Sequence, residues 1–242
     1  MKNPRCYARE LDDCVKKMSG EHCVSENVLK LISGTPHAVT IETRGPDWLR
    51  NKSKQIGIGS LEANVLCQKH NSDLSPLDAF MGRLILKLDY IRDNDGKKEE
   101  FVFDGDNLER FFLKMIACGL AAQGKEVPRL WLDILFRGQT FTGASGLYVY
   151  SSTISEDKLH SREMFTWEEF DGGARVWFII LNVFLLQPEH ADKQLGFTDV
   201  EHRPAHITFR DPGHGFHRLR FQWKNSPKTD GVNFDRRRAT VT

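Results

Sequence analysis

The chain contains no run of roughly 18 uncharged apolar residues, so an ordinary membrane-spanning helix is not expected. Its longest apolar stretch, residues 176–186 (VWFIILNVFLL), is broken by Asn182 and suits a buried strand or a short core helix. The opening MKNPRCYARELDD lacks the apolar core of a signal peptide, which points to a cytoplasmic protein. Neither sign of charge is in excess: 34 Lys/Arg stand against 33 Asp/Glu. Residues 1–90 hold 13 against 11 and the remainder 21 against 22, so no whole-chain field draws in a polyanion. Internal repeats and low-complexity segments are missing too. Cysteine is sparse and odd in number, five in 242 residues, which argues against a disulfide framework.

What is present divides near residue 100, and the length suits one or two domains. Four cysteines (Cys6, Cys14, Cys23 and Cys67) fall in a turn-rich first part, residues 1–90. Residues 92–100 (RDNDGKKEE) form an exposed turn or a boundary, and residues 101–242 read as an α+β domain with a mainly antiparallel sheet. Ser25 is expected to cap a helix over 26–32. A longer helix over 71–90 places Leu74, Leu77, Phe80, Met81, Leu84, Ile85 and Leu88 on one face, with Pro76 confining its true start to near Ser75. In the second part a strand over 101–103 precedes a helix from Asn107 to about 122. Leu108, Phe111, Phe112, Met115, Ile116 and Leu120 line one face, Cys118 is core, and Gly124 closes it. Strands are expected over 130–136, 146–152, 175–186, 206–210 and 218–223, with a frayed tail from 225.

The thiols carry the chemistry. Cys6 and Cys14 are separated by seven residues, and Cys67-Gln-Lys-His70 is a C-x-x-H knuckle directly before a helix. Together they offer three sulfurs and one nitrogen, the donor set of a closed, tetrahedral structural zinc. The plainer alternative is that Cys6 and Cys14 are unrelated thiols. Between the halves lies Glu21-His22, just ahead of a helix. An imidazole there can take a proton from attacking water, and a neighbouring carboxylate can hold a hard divalent cation. Asn71 offers that cation a second oxygen. Alternatively, His22 caps or packs. Asp73 and Asp78 are further candidate ligands or simply exposed helix carboxylates.

Glu21-His22 followed by Leu66-Cys-Gln-Lys-His-Asn71 resembles the HNH endonuclease family. The chain also looks like a bacterial set that opens C-x₇-C-x-x-x-x-S-x-E-H and continues L-C-x-x-H-N-S-x-L-S-x-L-D. The resemblance covers roughly the first third of the chain. It implies a zinc-stapled, treble-clef-like ββα-metal module over 1–90 fused to the second domain. His22 matches the general base, Glu21 the acidic metal ligand (usually Asp) and Asn71 the later metal ligand. Cys6, Cys14, Cys67 and His70 match the zinc knuckles, with His70 in place of the customary second cysteine. His22 and Cys67 lie 45 positions apart, longer than the family's usual spacing. This implies an insertion near 33–57 carrying Arg44, Arg50, Lys52 and Lys54, either a nucleic-acid backbone contact or a solvated loop. The implied activity is Mg²⁺- or other divalent-dependent cleavage of phosphodiesters, DNA more than RNA, in prokaryotic defence against mobile DNA. The second domain would read substrate, bind a partner protein or form a homodimer. Two other readings stay open: a non-catalytic zinc module that binds nucleic acid or protein, and a nuclease silent until a partner binds.

Overall fold

The computed structural model describes residues 3–33, 40–44, 53–57, 62–94, 97–150, 154–155, 165–170, 173–178, 181–186, 200–211, 215–225 and 231–237. It is a mixed α+β chain forming two compact units, each made of separated stretches. The first comprises Met1–Ile41, Gln55–Arg83 and Asn107–Phe141; the second comprises Glu42–Lys54, Leu84–Asp106 and Thr142–Thr242. This division departs from a single cut between residues 90 and 101.

In the first unit, β1 (Met18–His22) pairs antiparallel with β4 (Glu62–Cys67), and α1 (Glu26–Ser33) lies between them in sequence. Ser25 caps α1 as expected: the Val28 amide donates to Ser25 Oγ at 3.3 Å. Cys67 ends β4, and α2 (Gln68–Asp93) starts on the next residue. The helix begins before Pro76 rather than near Ser75. Proline removes the amide that would serve the carbonyl of residue 72, and Ser75 Oγ donates to Ser72 O at 2.8 Å instead. The predicted apolar face of α2 is buried, from Leu74 through Leu88 to Ile91.

The helix α3 (Gly105–Ala122) starts two residues before the expected Asn107 cap and ends at Gly124, whose φ of +75° makes the left-handed exit. Residues 130–136 are not a strand. They lie in α4 (Arg129–Arg137), preceded by Pro128 and closed by Gly138 at φ +71°. Trp131, Leu132, Ile134 and Leu135 are buried at helical spacing; in a short apolar run that period is easily mistaken for a strand.

The remaining strands are β2 (Thr40–Arg44), β3 (Ser53–Gly57), β5 (Glu99–Asp104), β6 (Gly146–Tyr150), β7 (Ile154–Ser155), β8 (Phe165–Phe170), β9 (Gly173–Phe178), β10 (Leu181–Leu186), β11 (Val200–His202), β12 (His206–Asp211), β13 (Gly215–Gln222) and β14 (Val232–Arg237). Among the described residues they form a seven-stranded sheet, β11-β6-β10-β9-β8-β2-β3, and a five-stranded one, β5-β13-β12-β14-β7. The apolar run 176–186 supplies two antiparallel strands, β9 and β10, rather than one. The tail beyond 225 is not wholly frayed. Val232 and Phe234 of β14 are buried, and β14 runs parallel to β12. Antiparallel pairs dominate, but β5–β13, β12–β14, β14–β7 and β2–β8 are parallel. Among the described residues no helix is long and apolar enough to cross a membrane.

Candidate metal centre and the adjoining acid–histidine site

Four sequence-distant donors meet in the first unit. Cys6, Cys14, Cys67 and His70 are buried, and their ligand atoms lie within 4.8 Å of one another. His70 Nδ1 is 3.4 Å from Cys6 Sγ, 3.7 Å from Cys14 Sγ and 3.2 Å from Cys67 Sγ. A tetrahedral zinc with bonds of about 2.3 Å to sulfur and about 2.0 Å to nitrogen has S···N edges of roughly 3.5 Å. The donor set and its spacing therefore fit zinc.

The loop carrying Cys6 and Cys14 is held by its own backbone. Arg9 N donates to Cys6 O at 3.0 Å, opening a short 3₁₀ turn over Arg9–Leu11. Asp12 turns the chain at φ 62°, and Asn3 Nδ2 bridges Val15 O and Lys16 O at 3.2 and 3.1 Å. The loop is tied to β4 and α2 through Tyr7 N to Val65 O and Gln68 N to Lys17 O, both 2.9 Å. Burial pushes the Cys6 thiol up to about 12, against the pull of the Cys67 and Ala8 amides. A bound cation reverses that preference by holding the thiolate directly.

Asp13, beside Cys14, completes the centre and was not singled out by the sequence reading. Its Oδ1 accepts from His70 Nε2 at 2.8 Å, and its Oδ2 accepts from Lys69 Nζ at 2.7 Å. With the proton fixed on Nε2, the Nδ1 lone pair faces the three sulfurs. Burial would raise Asp13, but the Lys69 ammonium and His70 outweigh it and hold the carboxyl below its usual range. Asp13→Ala is expected to weaken zinc binding about 10- to 100-fold with the four ligands intact. Competition against a chromophoric chelator measures this, and an unchanged affinity would leave Asp13 no part in the site.

Next to the knuckle, a β-bulge between Ser19 and Glu21 re-aims β1. Asn71, in the first turn of α2, donates its amide to Ser19 Oγ at 2.8 Å and Gly20 O at 3.3 Å. It thereby pins the helix start to the strand that ends in Glu21-His22. His22 is half-buried, and its Nε2 is buried with no hydrogen-bond partner. The carboxylates of Asp78 and Glu26 lie within electrostatic range of the ring.

Glu21 turns inward, 2% exposed. Its Oε1 meets Lys114 Nζ at 2.8 Å, a charge contact without the angle of a directed hydrogen bond. The same ammonium donates to Asp78 Oδ1 at 2.7 Å. Burial lifts Glu21 from an ordinary 4.5 to about 6 and also raises Asp78, with Lys114 opposing both shifts. Lys114 is the second residue the sequence reading passed over. The available signal was a lone cation inside the apolar run FFLKMIA of α3.

The Glu21 shift has a definite consequence. Between pH 4.5 and about 6 the folded chain keeps a proton that the unfolded chain has lost. Stability from this group is therefore present below the lower value and lost as pH rises through the upper one. The difference is on the order of 2 kcal/mol. Glu21→Gln should flatten that portion of the stability–pH curve in denaturant titrations; an unaltered slope would assign it to other groups.

Cys23 and Cys118 correct two expectations. They form a disulfide with a Cα–Cα distance of 5.2 Å, so Cys118 is more than a core thiol and the chain is not free of disulfides. Their separation of 95 positions left no local sign of the pairing. Of the four insertion cations, Arg50 and Lys52 lie outside the described residues. Arg44 ends β2 and Lys54 lies within β3, so both belong to strands. Comparison of the chain with family models, with curated proteins and with solved structures found no match.

Proposed function

We propose that the first unit is an HNH-type endonuclease module hydrolysing phosphodiester bonds with a divalent cation, acting on DNA in preference to RNA. One observation carries this reading: Asn71 is bonded to the bulge that precedes Glu21-His22, directly beside the Cys₃His cluster. Residues some 50 positions apart thus meet as a treble-clef-like ββα-metal module requires. His22 Nε2, without a partner, is the base that takes the proton from water. Glu21 and Asn71, with Asp78 as a further candidate ligand, would hold the cation, whose chemistry when bound is to neutralise charge building on the phosphate and its leaving oxygen. The Cys₃His zinc is structural. A role in prokaryotic defence against mobile DNA, recognition by the second unit and pairing of two copies belong to the same reading.

Cleavage of supercoiled plasmid with Mg²⁺ or Mn²⁺, with and without chelator, tests it. Chelator-sensitive nicking that disappears in His22→Ala supports the nuclease. Binding of DNA without nicking, by every form and with every metal, would turn the assignment toward a non-catalytic zinc module.

A further inference from the structure

Lys114 stands out as a buried charge with an unusual address. It is 1% exposed, flanked by Leu113 and Met115 on α3, and grips two carboxylates from two other elements, Glu21 of β1 and Asp78 of α2. Burying an ion costs several kcal/mol unless excellent pairing offsets it, and an apolar side chain generally serves a core position as well. The pairing here is incomplete. Glu21 Oε1 lacks a directed hydrogen bond, and the buried Tyr7 Oη, on a residue within Glu21's electrostatic reach, has no partner. His22 Nε2 is unpartnered as well. Two carboxylate oxygens therefore converge on one point, 2.8 and 2.7 Å from it. That arrangement is the donor side of a cation site, with the chain's own ammonium in the cation's place.

We propose that Lys114 is a built-in lock: its ammonium occupies the cation position between Glu21 and Asp78, and a divalent cation enters only by displacing it. The flexible four-carbon stem of lysine permits the exchange. The inference deepens the nuclease reading and rests on it for its biological meaning; its measurement does not. The lock would hold the module quiet until metal concentration, or a contact that moves α3, releases the ammonium.

The test is Mn²⁺ binding by the full zinc-loaded chain, read from the paramagnetic resonance of free Mn²⁺. Lys114→Met should bind at least tenfold more tightly than wild type, and adding Asp78→Asn should return binding to near the wild-type level. A folded Lys114→Met that binds Mn²⁺ no more tightly overturns the lock. Lys114→Gln, whose amide still donates to a carboxylate, carries the same expectation if the methionine variant does not fold. If neither folds, ¹⁵N-lysine-labelled wild type titrated with Mg²⁺ decides: a shifted Lys114 Nζ signal supports displacement, and an unmoved one with Mg²⁺ bound refutes it. Plasmid cleavage on the same samples separates the two readings. Tighter binding with no cleavage supports the lock and removes the nuclease; cleavage with unchanged binding does the reverse.

Discussion

Cys67→Ser is expected to release the metal and cost the first unit its cooperative unfolding, the largest stability effect of any single substitution in this chain. Cys67 closes β4 one residue before α2 begins, so it joins the hairpin, the knuckle loop and the helix start at one atom. Structural zinc supplies roughly 10–16 kcal/mol in peptides that have little core of their own. The first unit has an apolar core of its own, from Val28 and Leu29 to Phe80 and Phe111. Only part of that energy is therefore lost, but the part should exceed the roughly 2–5 kcal/mol of a core truncation to alanine. With all three sulfurs in place, the chain should carry one zinc, counted by elemental analysis. Cys118→Ser, which breaks the disulfide to Cys23 and leaves the four donors untouched, should keep that zinc. If Cys67→Ser retained both its zinc and its melting temperature, the Cys₃His centre would be refuted.

That centre was legible before any fold was known because its chemistry is written in residue type. Clustered cysteines, and a C-x-x-H placed before a helical run, specify a donor set whatever path the backbone takes. The Ser25 cap and the apolar face of α2 were legible for a similar reason, since each is fixed by neighbours within a turn or two. Long-range features left no such trace. Nothing near Cys23 announces Cys118, and the two strands of residues 176–186 read as one until their register is seen. The α4 helix hid behind a short apolar run, where periods of 2 and 3.6 share most of their hits. Its flanking Pro128 and Gly138 were the better guide.

The acid–histidine site shows the same division in miniature. Glu21, His22 and Asn71 are candidates by residue type, and the Asn71 hydrogen bonds reach Ser19 and Gly20 of the strand that ends in Glu21-His22. The sequence could not supply the environment. Glu21, expected as the acidic ligand of a divalent cation, faces inward onto Lys114, from a helix more than 90 positions away. Any metal chemistry at Glu21 must therefore compete with an internal cation. This changes how the principal activity experiment should be arranged: metal has to be titrated upward, not fixed at one concentration.

Under those conditions, His22→Ala should lower the rate of plasmid nicking by about 10²- to 10⁴-fold, the usual contribution of a positioned general base. The substitution suits the purpose because it should perturb little else. His22 Nε2 makes no hydrogen bond, the side chain is only half-buried, and none of the four zinc donors touches it in the cluster. Zinc content should stay at one per chain, and the melting temperature should move by no more than a few degrees. Asn71→Ala is the instructive contrast. It removes the anchor from α2 to Ser19 and Gly20, so it should reduce nicking while also loosening the hairpin. A base and an anchor are thus separated by whether stability follows activity. Single-turnover rates at saturating DNA give the cleanest comparison, since they leave product release out of the measurement. Nicking that survives His22→Ala at the wild-type rate would place the activity at another site or in a contaminant. In that case the Glu21–Lys114–Asp78 cluster would remain as a buried charge network whose purpose lies outside hydrolysis.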